Sequence, residues 1–230
     1  MANNLDLEEQ EQLAEIRHFW NEWGNLITWL LIVVFGAIAA YNGWNYWQRT
    51  QSAQSAALFE EIDRAAAAGD TQRVERAFAD MKDKFPRTAY THQAGLLAAR
   101  ILEEKGNKDG AKADLSWVAE HASDEGLQAV ARLRLAAMLA DAKQYDEALK
   151  QLSGTYSPQF DALAADRRGD IYSLQGKKAE AKGEYLKAWK GLGEETEYRR
   201  LVEVKLTALG VDVRELAPAP AGAASGVAKS

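Results

Sequence analysis

The chain lacks cysteine and contains only four prolines among its 230 residues. Without cysteine there are no disulfides, no thiolate metal ligands and no cysteine nucleophile, although this absence does not fix the cellular compartment. Two of the prolines, Pro218 and Pro220, lie close to the C-terminus. Because proline interrupts helices and is scarce elsewhere, the body of the chain can form long helices.

An excess of basic charge is also absent. The formal net charge is −6. Six of the acidic residues lie before residue 49, and Arg17 is the one basic side chain in the same stretch. The rest of the chain is close to neutral. A basic face that could bind phosphate is therefore missing, and no nucleic-acid partner is expected.

The sequence lacks the motifs of common catalytic sites. It has no GxxxxGK phosphate loop, no GxSxG and no HExxH, and its three histidines, His18, His92 and His121, lie in three different elements. We interpret each histidine as a surface or helix-end residue. Because an enzyme needs a convergent set of reactive groups, the sequence predicts no catalytic residue, no cofactor and no metal site.

Charge is missing altogether from the 26 residues 23–48. A bilayer core of about 30 Å is crossed by about 20 helical residues. Trp20 and Trp23 stand at one end of this segment and Trp44 and Trp47 at the other, and indole rings favour the headgroup level. We therefore predict a permanent transmembrane anchor in the lipid bilayer, with these four tryptophans at the two interfaces.

Two other interpretations of the apolar segment remain. Cleavage as a signal peptide after Ala37–Ala39 would satisfy the small-x-small rule, but the preceding region is long and acidic rather than short and basic. A buried core helix is disfavoured because the segment is apolar on all sides. Lysine and arginine are almost equally rare on both flanks, so charge does not predict which side of the membrane holds the body.

Residues 1–22 form the acidic N-terminal segment. Within it, residues 5–20 predict a weakly amphipathic helix, with Leu13, Ile16 and Trp20 on one face. This helix either runs in solvent towards the anchor or binds a partner.

The sequence of the body, residues 49–216, predicts repeated pairs of helices. The segment Leu163–Lys190 resembles a tetratricopeptide repeat, a helix–turn–helix unit of 34 residues. The residues that carry this resemblance are a small residue in the first helix, a turn glycine, two alanines of the second helix and two aromatic residues: Gly169, Gly176, Ala181, Ala188, Tyr172 and Tyr185. Small residues at these places let two helices approach closely.

Three further units precede this one. Their turns fall at Gly69, Gly106 and Lys143, so that the four turn positions are separated by 37, 37 and 33 residues. Such units bury their apolar faces by stacking on one another. The sequence therefore predicts an all-α fold, in which the transmembrane helix is followed by a tetratricopeptide-like, right-handed helical repeat array of about four units.

The array is predicted to end in a capping helix over residues 196–210. Leu201, Val204 and Leu209 are expected to cover the open end of the array, and Gly210 to end the helix. The last segment, residues 217–230, is rich in alanine, glycine and proline and is expected to be a disordered tail.

The first helix of each unit lines the groove of such arrays. By the repeat register, Arg100 and Glu103 of the second unit and Asp166 and Asp170 of the fourth unit are expected to face this groove. They are candidate partner-binding residues, and solvation without a partner is the alternative. Their mixed charge does not match an all-basic clamp for a terminal carboxylate.

The motif "HFWNEWGN", the tryptophan-flanked span, "YWQ" and the repeats together resemble the bacterial ancillary SecYEG translocon subunit family. The resemblance covers nearly the whole chain except the tail. It implies a single-pass protein of the bacterial inner membrane, with the N-terminus in the cytoplasm and the C-terminal domain in the periplasm. It also implies association with SecYEG and with a membrane-anchored periplasmic chaperone. The family has no known catalytic residues.

The anchor and the repeats predict a non-enzymatic, membrane-anchored interaction scaffold. The resemblance implies that this scaffold works at the translocon, where it recruits or cooperates with a periplasmic chaperone and assists newly exported proteins. Two alternatives remain: a structural scaffold of another envelope complex, for division or secretion, and a membrane-docked co-chaperone whose body faces the cytosol.

Overall fold

The computed structural model describes residues 7–194 and 196–213, and these residues form nine helices and no strand. The helices are α1 (Leu7–Ala67), α2 (Thr71–Lys84), α3 (Ala89–Glu104), α4 (Lys108–His121), α5 (Glu125–Asp141), α6 (Tyr145–Gln151), α7 (Pro158–Leu174), α8 (Lys178–Gly191) and α9 (Glu197–Ala208). The predicted all-α class is confirmed. The predicted tail, residues 217–230, lies outside the described residues.

The chain divides into two compact units, Met1–Gln54 and Ser55–Ser230. The division falls six residues after the end of the segment 23–48 that the sequence analysis assigned to the anchor. The first unit contains the apolar part of α1. The second unit contains the end of α1 together with α2 to α9.

The four predicted turns share one backbone conformation. Gly69, Gly106, Lys143 and Gly176 have positive φ angles of 70°, 83°, 60° and 74°. After each of them, the next residue donates its N–H to the carbonyl five positions earlier, as Asp70 does to Ala65 at 3.0 Å. This Schellman arrangement ends a helix and requires a left-handed residue at the turn. The predicted turn positions are therefore correct, including the one that is occupied by lysine.

The same turn occurs a fifth time. Gly210 has a φ of 79°, and the N–H of Val211 donates to the carbonyl of Leu206 at 3.1 Å. Gly210 follows Gly176 by 34 residues, which is the length of one tetratricopeptide repeat. Helix α9 therefore ends as the first helix of every unit does.

Side-chain caps fix where several helices begin. Asp70 accepts a hydrogen bond from the N–H of Arg73 at the start of α2, and Asn107 accepts one from Gly110 at the start of α4. Such caps satisfy N–H groups that have no partner within the helix. Both of these caps directly follow a turn glycine, so at these two places the turn and the start of the next helix are specified together.

Four apolar clusters form the core of the second unit. Each cluster combines a pair of helices with the helix that follows it: the end of α1 with α2 and α3, α3 with α4 and α5, α5 with α6 and α7, and α7 with α8 and α9. No pair covers its own apolar face without the next helix. This sharing is the stacking expected of a repeat array.

Small residues lie where helices meet, both in the fourth unit, as the sequence predicts, and at the equivalent places of the third unit. Ala136, Ala148, Ala181 and Ala188 are fully buried. A Cβ atom added to Gly169 would lie 2.5 Å from the ring of Tyr185, so only glycine allows α7 and α8 to approach this closely.

The predicted contacts of the capping helix are partly wrong. Leu209 packs against the last cluster, but Leu201 and Val204 are 48 % and 66 % exposed. Val202 and Leu206 are fully buried in their place. Because α9 is apolar on two faces, the sequence pattern did not distinguish the packed face from the open one.

Candidate membrane anchor and protein-interaction surface

Helix α1 carries the candidate membrane anchor. Among the described residues it is the one helix that is long and apolar enough to cross a membrane. Its central side chains, such as Val33 and Phe35, are exposed rather than packed against other elements of the chain. An apolar surface of this length gains free energy by entering hydrocarbon.

The four predicted interface tryptophans lie at the two ends of this apolar stretch. Trp20, Trp23, Trp44 and Trp47 are all exposed, and the rings of Trp44 and Trp47 lie 5.2 Å apart. From Trp23 to Trp44 a helix rises about 32 Å, which matches the thickness of a bilayer core. This spacing supports the assignment of the two tryptophan pairs to the two interfaces.

The candidate interaction surface is on the first helices of the units. We define the helix-A face as the residues ten, six and three positions before each of the first four turns. Its members that are exposed or half-buried are Phe59, Asp63, Ala66, Leu96, Arg100, Glu103, Leu133, Ala137, Asp170 and Ser173. The face is charged in the second unit and apolar in the third.

Two of the predicted partner-binding residues are accessible on this face. Arg100 and Glu103 are exposed on α3, and Arg100 pairs with Glu104 at 3.7 Å within the same helix. Exposed pairs of this kind are weak, so Arg100 can exchange Glu104 for another acidic group at little cost. Its position is compatible with binding a partner.

Asp166 does not lie in an open groove as expected. Its side chain is 1 % exposed and accepts hydrogen bonds from the hydroxyl of Tyr198 at 2.6 Å and from Nζ of Lys205 at 2.8 Å. Both partners belong to α9, which covers this side of α7. Asp166 therefore holds α9 in place. The repeat register could not predict this contact, because Lys205 lies 39 residues after Asp166 in the chain.

Asp170 lies at the edge of the same network. It accepts a hydrogen bond from the hydroxyl of Tyr185 at 2.8 Å and contacts Nζ of Lys205 at 2.7 Å. Burial, together with the hydrogen bond to Asp170, raises the pKa of Tyr185. Arg100 and Glu103 on α3 do not meet the two aspartates, Asp166 and Asp170, on α7. Helix α5 lies between α3 and α7 and contacts both.

A buried carboxylate that the sequence analysis did not consider joins α4 to α2. Asp114 is 7 % exposed, and its Oδ1 lies 3.6 Å from Nζ of Lys82. Burial raises the pKa of Asp114 to about 6, and Lys82 partly opposes this shift. The spacing of Asp114 from Ala111 and Val118, three before it and four after it, could have placed it on the buried side of α4.

His92 is a helix-end residue, which is one of the two predicted settings, but it does not lie at the surface. His92 is fully buried near the start of α3, and its Nε2 lies 3.1 Å from the carbonyl oxygen of Pro86. Burial lowers the pKa of His92 and favours the neutral ring. His18 and His121 are exposed as predicted, and the ring of His121 stacks on Trp117 at 4.8 Å.

Comparison with known proteins agrees with this architecture. Residues 17–211 match the model of a tetratricopeptide repeat-like domain. An ancillary SecYEG translocon subunit of Escherichia coli K12 is 31 % identical over 76 % of this chain and 84 % of its own length. Proteins of the same name are 30 % identical in Haemophilus influenzae, over 79 % and 89 %, and 28 % identical in Neisseria gonorrhoeae, over 88 % and 98 %.

The chain belongs to the ancillary SecYEG translocon subunit family. The match to the repeat-like domain begins at residue 17 and ends at residue 211, so it includes both the apolar part of α1 and all helices from α2 to α9. Together with the candidate span of α1, membership in this family indicates an inner-membrane protein with one N-terminal transmembrane helix.

Proposed function

We propose that this protein is a non-enzymatic scaffold that assists newly exported proteins beside the SecYEG translocon of the inner membrane. The observation that carries the proposal is the match to ancillary translocon subunits over the candidate span and the repeat domain together. A repeat domain alone would fit many binding proteins, because fold does not imply function.

The helix-A face is the surface that we assign to partner binding. Leu133 and Ala137 supply an apolar centre, while Arg100 and Glu103 supply charged groups that a polar partner can pair with. The partner is a periplasmic chaperone anchored in the same membrane, or a client that leaves the channel. Asp166 takes no part in this surface because its carboxylate is buried.

The proposed topology has the N-terminus in the cytoplasm and the repeat domain in the periplasm. The test is a pair of reporters fused after Ser230. Alkaline phosphatase, which needs an oxidising compartment, should be active when it is fused at this point. Green fluorescent protein fused at the same point should not fluoresce, because it would be exported unfolded through SecYEG. The reverse result would show a body that faces the cytosol and would refute the periplasmic assignment.

The surface is tested by site-specific photo-crosslinking in cells. A photo-reactive residue at Arg100, on the helix-A face, should form adducts that contain a SecYEG component or a periplasmic chaperone. The matched control is Lys182, an exposed residue of α8 on the second helix of its unit. Equal capture at both positions would argue against the helix-A face, and capture of division or secretion components alone would favour another envelope complex.

A further inference from the structure

Helix α6 is half as long as the other second helices of the array. It has seven residues, whereas α2, α4 and α8 have 14 each. Twelve residues after the turn, the longer helices place Met81, Val118 and Ala188, whose side chains are all fully buried. The equivalent residue of the third unit is Thr155, which lies in the loop after α6 and is exposed. The third unit therefore lacks an apolar contact that the other units have.

Arg132 of α5 extends into the space that this short helix leaves open. In the second unit the equivalent position is Gly95, where an added Cβ atom would lie 2.4 Å from Val118 of α4. In the third unit the side chain of Arg132 reaches the loop after α6, where a Cβ atom added to Gly154 would lie 2.8 Å from its Nη1. The equivalent residues of the first, second and fourth units carry no charge and are Leu58, Gly95 and Ala165.

The guanidinium of Arg132 has no carboxylate partner among the described residues. Arg132 is half-buried, as are three other arginines of the repeat domain. Those three are each close to an acid: Arg167 to Asp170 at 3.6 Å, Arg168 to Glu184 at 2.7 Å and Arg199 to Glu194 at 3.8 Å. Because Arg132 is already partly removed from water, an anion that pairs with it gains a charge-assisted hydrogen bond at a small further desolvation cost.

Two recesses have Arg132 in their walls. One is about 390 Å³ and includes residues of α4, α5 and α6, and the other is about 230 Å³ and includes the loop after α6. Lys150 lines the first recess, and each recess contains one exposed glutamate, Glu120 or Glu125, so the charges are nearly balanced. Hydroxyl groups that can donate hydrogen bonds line both recesses: Ser116, Ser153, Thr155 and Ser157.

We propose that Arg132 and these recesses form a second interaction site, which binds the carboxylate of an aspartate or glutamate side chain of a partner protein. The flat fork of a guanidinium can form two parallel hydrogen bonds with a carboxylate. A more highly charged phosphate group would be repelled more strongly by Glu120 and Glu125. The site goes beyond the proposed function, because none of its lining residues belongs to the helix-A face.

The test uses the full-length protein in nanodiscs of zwitterionic lipid and a fluorescent peptide in which glutamate alternates with serine. The control peptide has glutamine in place of every glutamate. Fluorescence anisotropy should show saturable binding of the glutamate peptide and at least tenfold weaker binding of the glutamine peptide. Equal binding of the two peptides would overturn the proposal, because the site would then not recognise a carboxylate.

Two arginines of α5 locate the site. Arg132→Gln should weaken binding of the glutamate peptide at least tenfold. Arg134→Gln is the matched control, since it removes the same charge from an exposed residue of the same helix that does not line either recess. It should change binding less than twofold, and equal effects of the two substitutions would refute the site.

A second variant keeps Arg132 and blocks it from within the chain. Gly154→Asp places a carboxylate next to the guanidinium, because the position of the new Cβ atom is close to Nη1 of Arg132. This variant should also bind the glutamate peptide at least tenfold more weakly. Unchanged binding would show that the peptide is held by another group and would contradict the proposal.

Three further measurements separate the other possible occupants. Glutarate should displace the peptide at a lower concentration than inorganic phosphate does, and the reverse order would show a phosphate site instead. Glu215→Gln should leave peptide binding unchanged, whereas a gain of tenfold or more would show that Glu215 of the same chain occupies the site. Sedimentation should show the same oligomeric state for Arg132→Gln and the unmodified protein, and dissociation of an oligomer would show that a second copy is the occupant. None of these results depends on whether the protein associates with SecYEG.

Discussion

Lys205 of α9 lies 2.8 Å from the carboxylate of Asp166 on α7 and 2.7 Å from that of Asp170, so a single ammonium group joins two acids one helical turn apart. Asp166 is almost completely buried, whereas Lys205 is 22 % exposed. The position of α9 therefore depends on the pairing of a charge that has no access to water.

Replacing Lys205 should destabilise the repeat domain more than replacing an exposed lysine. Lys205→Met leaves the buried Asp166 without its cation, which costs about 3 kcal/mol in comparable buried pairs. Lys84→Met is the control, because Lys84 and its partner Asp80 are both more than half exposed, and it should cost less than about 1 kcal/mol. Urea unfolding of the detergent-solubilised protein measures both changes, and similar losses would contradict a structural role for Asp166.

Lys143 should be replaceable by glycine with a gain in stability. Its φ of 60° is unfavourable for a residue with a side chain, and glycine holds the equivalent position in the other four turns. Lys143→Gly should add about 0.5–1 kcal/mol to the free energy of unfolding. The reciprocal change, Gly176→Ala, should remove about 1 kcal/mol, since a Cβ atom there meets no neighbour and only backbone strain acts. Loss of stability in Lys143→Gly would show that its side chain has another role.

Gly169 and Gly183 should respond to alanine in opposite directions. A Cβ atom at Gly169 would lie 2.5 Å from the ring of Tyr185, whereas one at Gly183 would meet nothing within 4 Å. Gly169→Ala should therefore cost about 2–3 kcal/mol through overpacking. Gly183→Ala should gain up to about 1 kcal/mol because alanine favours the helix. Thermal unfolding by circular dichroism compares them, and a neutral Gly169→Ala would mean that α7 and α8 separate easily.

Asp114 should make the stability of the repeat domain depend on pH. Its pKa is raised to about 6 in the folded protein from 3.8, so the folded state binds the proton more tightly than the unfolded state does. The free energy of unfolding should consequently fall as pH rises from about 4 to about 6, and this contribution should be constant above that range.

The substitution Asp114→Asn should remove this contribution. The melting temperature of Asp114→Asn minus that of the unmodified protein should increase from pH 4 to pH 6 and then level off. Asp80→Asn controls for the loss of a surface carboxylate, since Asp80 is 59 % exposed. A difference that decreases with rising pH would show that Lys82 stabilises the ionised form of Asp114 more than burial disfavours it.

The turn positions were predictable from the sequence because local geometry determines them. A left-handed turn selects glycine, and the near-constant spacing located Lys143 even though it is not glycine. The buried alanines were equally predictable, since they stand at fixed distances from those turns.

The surroundings of Asp166 and the packed face of α9 were not predictable in this way. Asp166 is buried by Tyr198 and Lys205, which come more than 30 residues later in the chain. On α9, Leu201 with Val204 and Val202 with Leu206 are two apolar pairs, three and four residues apart, and both spacings place a pair on one side of a helix. Only contact with α8 distinguishes them. Residues that depend on such distant contacts cannot be assigned from periodicity alone.

The identical turns at Gly176 and Gly210 make the length of the array adjustable. Residues 177–210 begin and end at equivalent points of the backbone, so a second copy of this segment can be joined after Gly210 without a new type of connection. Its Lys177 would follow Gly210 as it now follows Gly176. A scaffold of this construction can change its reach by whole units of 34 residues, through duplication of one segment of its own sequence.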